Sequence, residues 1–270
     1  MNLTFPNQLD HVKENVLAQE STLTEVAELY ANAMANGGLV HVYANGHSRL
    51  AVEEMVIRMG ALTGFHPILA AGLVTFTNVI GPDGIRINQT MEKVEGLGAQ
   101  LLNEIDIGPH DVFVVISATG TTGAAVDIAL AFNDRYPHHP IIALTSLVQA
   151  RDARPKHSSG KNLYHIIQEA ERGYLLDNSM PMGDVSVTVE GKHETYHVCP
   201  LSSIGALTIV QSLNELTVRA LDRRGVKHHV LQNMHLRNTQ ETYDAWVRDQ
   251  RKRYALATHN PNRVDPVLKD

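Results

Sequence analysis

From about Leu9 to Ala35, apolar residues Val12, Val16, Leu23, Val26, Ala27, Leu29 and Tyr30 recur at spacings near three and four, with acidic residues between them. This spacing predicts one or two amphipathic helices. Gly37-Gly38 stops the pattern, and Leu39-Val-His-Val-Tyr43 follows as a short apolar strand. Ala44 to Ser48 reads as a turn, and Arg49 to Leu62 as a helix that turns Ala51, Met55, Val56 and Met59 inward. The pattern then repeats. Strands are expected at Pro67–Ala71, Val112–Ile116, Ile141–Thr145 and Tyr174–Asp177, with helices at Met91–Ile105, Thr122–Asn133 and Ser159–Glu171 and an irregular stretch around Pro82-Asp-Gly84. Short apolar strands alternating with amphipathic helices are the sequence form of a parallel sheet covered on both faces.

Beyond Asp177 the alternation breaks. Val185–Val189 and Thr195–Val198 alternate with period two around Glu190-Gly-Lys-His-Glu194, which predicts a short β-hairpin. Leu201–Leu221 follows as a long helix with Ile204, Leu207, Val210, Leu213 and Leu216 as its apolar stripe, and Gln240–Tyr254 as a polar helical tail. No internal repeat, low-complexity linker or second sheet domain is evident.

The 270 residues, 43% of them hydrophobic, suffice for one large α/β domain with additions. A formal net charge of -6 argues against nucleic acid as a partner, and the basic stretch Arg248–Arg253 is interrupted by Asp249, as on a solvated helix face. The single cysteine, Cys199, allows no internal disulfide and suits a reducing compartment. No apolar run approaches the roughly 18 to 20 residues that cross a bilayer, and Met1-Asn-Leu-Thr-Phe-Pro6 lacks the features of a secretory signal. A cytoplasmic protein with no membrane partner is expected.

In open parallel sheets ligands bind beyond the carboxyl ends of the strands. The loops there are Asn45-Gly46-His47-Ser48, Ser117 to Thr122, Thr145-Ser146 and Asp177-Asn-Ser179. Ser117-Ala-Thr-Gly-Thr-Thr122 has the chemistry of an anion cradle. Gly120 allows a tight turn, Ser117, Thr119, Thr121 and Thr122 offer hydroxyls, and the helix that follows opens with free N–H groups. A helix cap alone would need one hydroxyl, whereas four cluster here. His47, in a strand-end turn, can reach a pocket mouth. For His157-Ser158-Ser159 two readings stay open: the hydroxyls cap a helix beginning near Ser159, or the group meets a sugar. Fifteen histidines raise a metal site, but no spacing among them, His193 and His197 included, specifies one, and neither metal nor cofactor is expected.

The Asn-Gly-His-Ser turn, the Ser117–Thr122 loop, Arg154-Pro-Lys-His-Ser-Ser-Gly-Lys-Asn-Leu163 and Leu176-Asp-Asn178 to Gly183-Asp184 together resemble the sugar isomerase (SIS) domain family, in particular its phosphosugar-binding, phosphoheptose-isomerase-like bacterial members. The resemblance spans roughly residues 9 to 235. It implies a five-stranded parallel sheet in flavodoxin-like order. It also implies a homodimer or dimer of dimers with sites near the subunit interface, and phosphate held by Ser117, Thr119 and Thr122, Thr119 standing where serine is commoner. The expected division is an N-terminal helical segment (1–35), a phosphosugar-binding domain (36–235) and a C-terminal helical tail (236–270).

The family's reactions need a positioned base. Glu95, on the helix before the third strand, stands where SIS etherases carry a functional glutamate, with Glu92 three residues earlier. Glu53 and Glu54 suit solvent or an interface. The expected function is aldose-ketose isomerisation of a sugar phosphate through an enediol. Glu95 or His157 would move protons, and Asn45, Gly46, His47, Ser48, Ser117, Thr119, Gly120, Thr121, Thr122, Ser158 and Ser159 would bind substrate. An etherase-type lyase on an amino-sugar phosphate and a non-catalytic phosphosugar sensor are the alternatives.

Overall fold

The computed structural model describes residues 3–73, 85–233, 235 and 240–267. The stretch around Pro82-Asp-Gly84 lies outside them. The strands β1 (Val40–Ala44), β2 (Phe65–Ile68), β3 (Val112–Ile116), β4 (Ile141–Thr145) and β5 (Gly173–Asp177) form one sheet in the order β2-β1-β3-β4-β5. Every pair is parallel, which is the flavodoxin-like order. Ten helices are described: α1 (Phe5–Ala18), α2 (Glu20–Ala35), α3 (Arg49–Met55), α4 (Ile85–Met91), α5 (Leu97–Asn103), α6 (Gly123–Arg135), α7 (Leu147–Asp152), α8 (Leu163–Glu169), α9 (Ser202–Arg223) and α10 (Gln240–Leu256). A separate antiparallel hairpin pairs β6 (Val187–Glu190) with β7 (Thr195–Val198).

Strands β1, β3 and β4 are buried at every position, because alternate side chains enter two different cores. Val40, Val42, Val112, Val114 and Ile116 join residues of α1, α2, α3 and α9 on one face. Tyr43, Phe113, Val115, Ile141 and Ala143 join residues of α5, α6 and α8 on the other. Helices α5 and α6 meet backbone to backbone at Gly98, where a Cβ would lie 2.2 Å from the Ala124 carbonyl oxygen.

The edge strand β2 holds Pro67, which an edge tolerates. Helix α10 covers the backbone beside it: Gln250 Nε2 donates to Phe65 O (3.1 Å), and Trp246 Nε1 donates to Ala61 O (3.2 Å). At the amino end of the sheet a polar network is enclosed in the core. Asp111 accepts hydrogen bonds from the amides of Leu39 and Gly108 (both 2.7 Å) and meets His41 Nε2 at 2.9 Å. His41 Nδ1 in turn lies 3.1 Å from His66 Nδ1.

Several boundaries depart from the sequence expectation. The helix from Arg49 stops at Met55 because residues 60–63 pair instead with a later segment, through Gly60 N to Leu231 O (2.8 Å) and Thr63 N to His229 O (3.0 Å). Met59, expected inside, is consequently 46% exposed. The strand expected at Pro67–Ala71 lies earlier, in register with β1 from Phe65 onward. The helix expected over Met91–Ile105 is two short helices separated by the turn 92–96, where Gly96 has φ +91°. The helix expected from Ser159 begins at Leu163 and is capped by Asn162, while α7 was not anticipated. Among the described residues no helix is long and apolar enough to cross a membrane.

Candidate functional site

The six residues between β3 and α6 make a tight turn at the carboxyl end of the central strand. Gly120 has φ +68°, and a Cβ there would lie 2.8 Å from Thr145 Oγ1, so both conformation and space call for glycine. Two of the turn's carbonyls are taken by neighbouring loops: Ala118 O accepts from Ser146 N (3.0 Å) and Asn178 Nδ2 (3.2 Å), and Gly120 O from Leu163 N (3.0 Å). Donors are left on the other side. Thr122 occupies the N-cap position of α6, yet its hydroxyl makes no cap hydrogen bond. The amides of Thr122, Gly123 and Ala125 find no acceptor among the described residues. Ser117 Oγ and Thr122 Oγ1 lie 3.5 Å apart, Thr119 Oγ1 and Thr121 Oγ1 3.0 Å. A turn that spends its acceptors inward and presents hydroxyls and helix-terminal amides outward is chemically matched to an anion.

The turn after β1 packs against it. Ser48 Oγ accepts from Ala118 N (3.1 Å), which leaves the serine proton to donate elsewhere. Asn45 Nδ2 donates to Glu92 Oε2 (3.0 Å). Two pockets open here and share Glu92, Thr119 and Thr122. One, of about 330 Å³, is lined by Asn45, Gly46, His47, Ser48, Ser117 and the start of α9. The other, of about 440 Å³, is lined by Thr121, Gly123, Lys93, Glu95, Lys156 and His157. Glu92 thus stands at their junction. Partial burial raises its pKa above the ordinary glutamate range, against the pull of Lys93 and Lys156.

Glu95 is placed differently. Its carboxylate accepts from Ser158 N (2.8 Å) and from Ser158 Oγ, and these bonds hold its pKa below the usual range. His157 lies beside it, Nε2 at 3.7 Å from Glu95 Oε2. Ser159 N donates to His157 Nδ1 (3.1 Å), so the other ring nitrogen carries the proton and donates to Asp127 Oδ1 at 2.8 Å. Asp127, buried on α6, also accepts from Gly96 N (2.5 Å). One carboxylate therefore fastens both the 92–96 turn and the 156–160 loop to the same helix.

The structure thus gathers every expected residue at one end of the sheet, with Ser117, Thr119 and Thr122 facing Asn45, His47 and Ser48. The reading of Ser158 and Ser159 as caps of the following helix does not hold: Ser159 Oγ accepts from Lys161 N (3.2 Å), inside a turn that ends before Asn162. Glu53 and Glu54 pair with Arg49 and Arg58 along α3. Glu92's junction position, Asp127, Lys93, Lys156 and the α9 residues Ser202 and Ser203 were not singled out from the sequence. Only Glu92 had left a signal, as the glutamate one helical turn before Glu95. Among the described residues no group of three or more metal-ligating side chains is arranged to hold an ion.

Comparison with known proteins places these features in context. The SIS domain profile matches residues 4–146. A UPF0309 protein of Geobacillus kaustophilus is 24% identical over 255 residues, which covers 94% of this chain and 95% of that protein. Another, from Halalkalibacterium halodurans, is 28% identical over 234 residues, covering 85% and 87%. Among solved structures, a phosphoheptose isomerase from Neisseria gonorrhoeae is similar with a TM-score of 0.47 at 14% identity, over 80% of this chain and 95% of that one. One from Francisella tularensis gives 0.46 at 16%, over 80% and 94%.

Proposed function

The chain belongs to the SIS domain family, and on that footing we propose that it binds a phosphorylated sugar across the two joined pockets and interconverts its aldose and ketose forms. The phosphate sits on the hydroxyls of Ser117, Thr119 and Thr122 and the outward proton of Ser48, with amides at the start of α6 adding partial positive charge. Asn45 and His47 meet the sugar oxygens, and Gly46 and Gly120 let backbone approach closely. Thr121, Ser158 and Ser159 line or support the second pocket.

One observation carries the reaction: a half-buried carboxyl group, its pKa raised by burial, beside Thr119 and Thr122 where the two pockets join. A raised pKa suits such a group to accept and return a proton. Glu92 takes the C2 proton of the open-chain aldose, the electron pair forms the C1–C2 double bond, and the carbonyl oxygen at C1 takes a proton from solvent. The C2 hydroxyl then gives its proton back to solvent as its carbonyl forms, and Glu92 returns a proton to C1. No atom is gained or lost. Glu95 and His157, whose polar atoms are engaged by Ser158, Ser159 and Asp127, hold the wall beside this centre.

Incubation with a panel of aldose phosphates should convert at least one to its ketose. Replacing Ser117 and Thr119 together with alanine should weaken sugar-phosphate binding by about a hundredfold or more, since hydrogen bonds to a charged group contribute about 1.5 to 3 kcal/mol each. Calorimetric titration showing unchanged affinity would remove the loop from phosphate binding.

A further inference from the structure

The pocket of about 440 Å³ beside the hydroxyl loop is lined by two lysines from different segments. Lys93 comes from the turn between α4 and α5, and Lys156 from the loop between α7 and α8. Neither ammonium group makes an ion pair or hydrogen bond among the described residues, although both pull on Glu92, in a chain whose net charge is -6. Their backbones are nonetheless held. Ser158, two residues from Lys156, is bonded to Glu95, two residues from Lys93, and Asp127 binds both His157 and the Gly96 amide. The clasp holds the two segments that carry the lysines beside one pocket, whose lining also includes Glu92 and Glu95, hydrogen-bonded to Asn45 and Ser158. Gln149 adds a donor, because its Oε1 is spent on Gly183 N (3.1 Å) and its amide N–H groups are not.

The other pocket differs in kind. Asn45, Ser48 and Ser117 line it together with Asp184, whose carboxylate accepts from Leu201 N, Ser202 N and Ser202 Oγ, and among the described residues no lysine or arginine lines it. One lobe therefore offers neutral donors on the hydroxyl loop, the other paired cations beyond Glu92.

We propose that the lysine-lined pocket is a subsite for a second anionic group, so that the substrate is a sugar phosphate that also bears a carboxylate or a second phosphate. This rests on the reading of the hydroxyl loop as the phosphate holder. With the phosphate on the hydroxyl loop and the second anion beside Lys93 and Lys156, the intervening carbons pass Glu92. The bound anion also offsets the pull that the two lysines exert on Glu92, leaving its carboxylate more basic when substrate is in place.

The test uses the full chain and calorimetric titration with three probes. They are glucitol 6-phosphate, 6-phosphogluconate, which adds a carboxylate to the same carbon chain, and fructose 1,6-bisphosphate. At least one of the two doubly anionic probes should bind about tenfold or more tightly than glucitol 6-phosphate. Preference for one over the other tells carboxylate from phosphate. Replacing Lys93 and Lys156 together with alanine should erase that difference while leaving glucitol 6-phosphate within about twofold. Both side chains are exposed, so the fold is retained. Equal affinity for all three probes in the wild type, or binding of none, overturns the proposal. So does a double variant that weakens all three alike, which would mean that the lysines serve the same phosphate as the loop. Failure of the loop reading has a separate signature: Ser117→Ala with Thr119→Ala would then leave glucitol 6-phosphate affinity unchanged.

Discussion

Glu92→Gln should slow aldose-ketose interconversion by about a thousandfold or more and leave sugar-phosphate affinity within about twofold, because general-base catalysis contributes about 10² to 10⁴ in rate. The amide is nearly isosteric with the carboxylate. Its carbonyl oxygen can still accept the Asn45 Nδ2 hydrogen bond, so the junction between the pockets keeps its shape. What is lost is the ability to take a proton. The pH profile of the wild type carries a second signature. Burial raises the Glu92 pKa, and the base must be ionised, so kcat/KM should rise with pH through a midpoint above the ordinary glutamate range. Glu95→Gln should have a much smaller effect on rate, since that carboxylate is exposed, held in its charged form by Ser158, and available only by giving up those bonds. A Glu95 variant that abolishes turnover while Glu92→Gln retains it would transfer the base to Glu95.

The second large effect lies at the opposite end of the sheet. Asp111→Ala should lower the unfolding free energy by about 3 to 5 kcal/mol, the range found when one partner of a buried charged network is removed. His41 and Asp111 are 0% and 2% exposed, and the substitution strands His41 Nε2 and the amides of Leu39 and Gly108 without an acceptor. The same network sets an acid limit. The two facing Nδ1 atoms, 3.1 Å apart, accommodate one proton between them. His66 is accordingly held neutral, its pKa lowered to about 3, first by burial and then by His41. Because the unfolded imidazole binds its proton more readily, stability is fully present above the unfolded value of about 6.5 and lost as pH falls from there toward 3. Denaturant unfolding at pH 7 and pH 5 should show this loss in the wild type and less of it in His66→Gln. A pH-independent midpoint would contradict the assignment.

These two sites also mark what could be read from the chain and what could not. β3 was legible because five consecutive apolar residues between polar neighbours have few other uses, and both its faces are covered. The Ser117–Thr122 loop was legible because a hydroxyl cluster at a strand end is local chemistry. The order of the strands came from family resemblance rather than from periodicity. The break at 92–96 was hidden, since helical spacing runs straight through it. It is imposed from α6, where Asp127 takes the Gly96 amide and Ala124 N donates to Glu92 O at 2.9 Å. That break is what sets Glu92 where the two pockets join, while Glu95 lines one of them. The start of α8 was misplaced because Asn162 caps it with a histidine, His165, three residues on, in place of the usual Glu or Gln. The placing of Lys93 and Lys156 on one pocket, and the meeting of His41 with His66 and Asp111, join positions far apart in the chain and exist only once the sheet is assembled.

The measurement that bears most directly on the central claim is solvent exchange at the sugar carbons. Aldose phosphates are incubated with the protein in deuterated water and followed by NMR at C1 and C2. Deuterium should enter C2 of at least one bound aldose phosphate in the wild type and fail to enter with Glu92→Gln. Tight binding across the panel with no exchange in the wild type would contradict an isomerase and leave a phosphosugar sensor in its place.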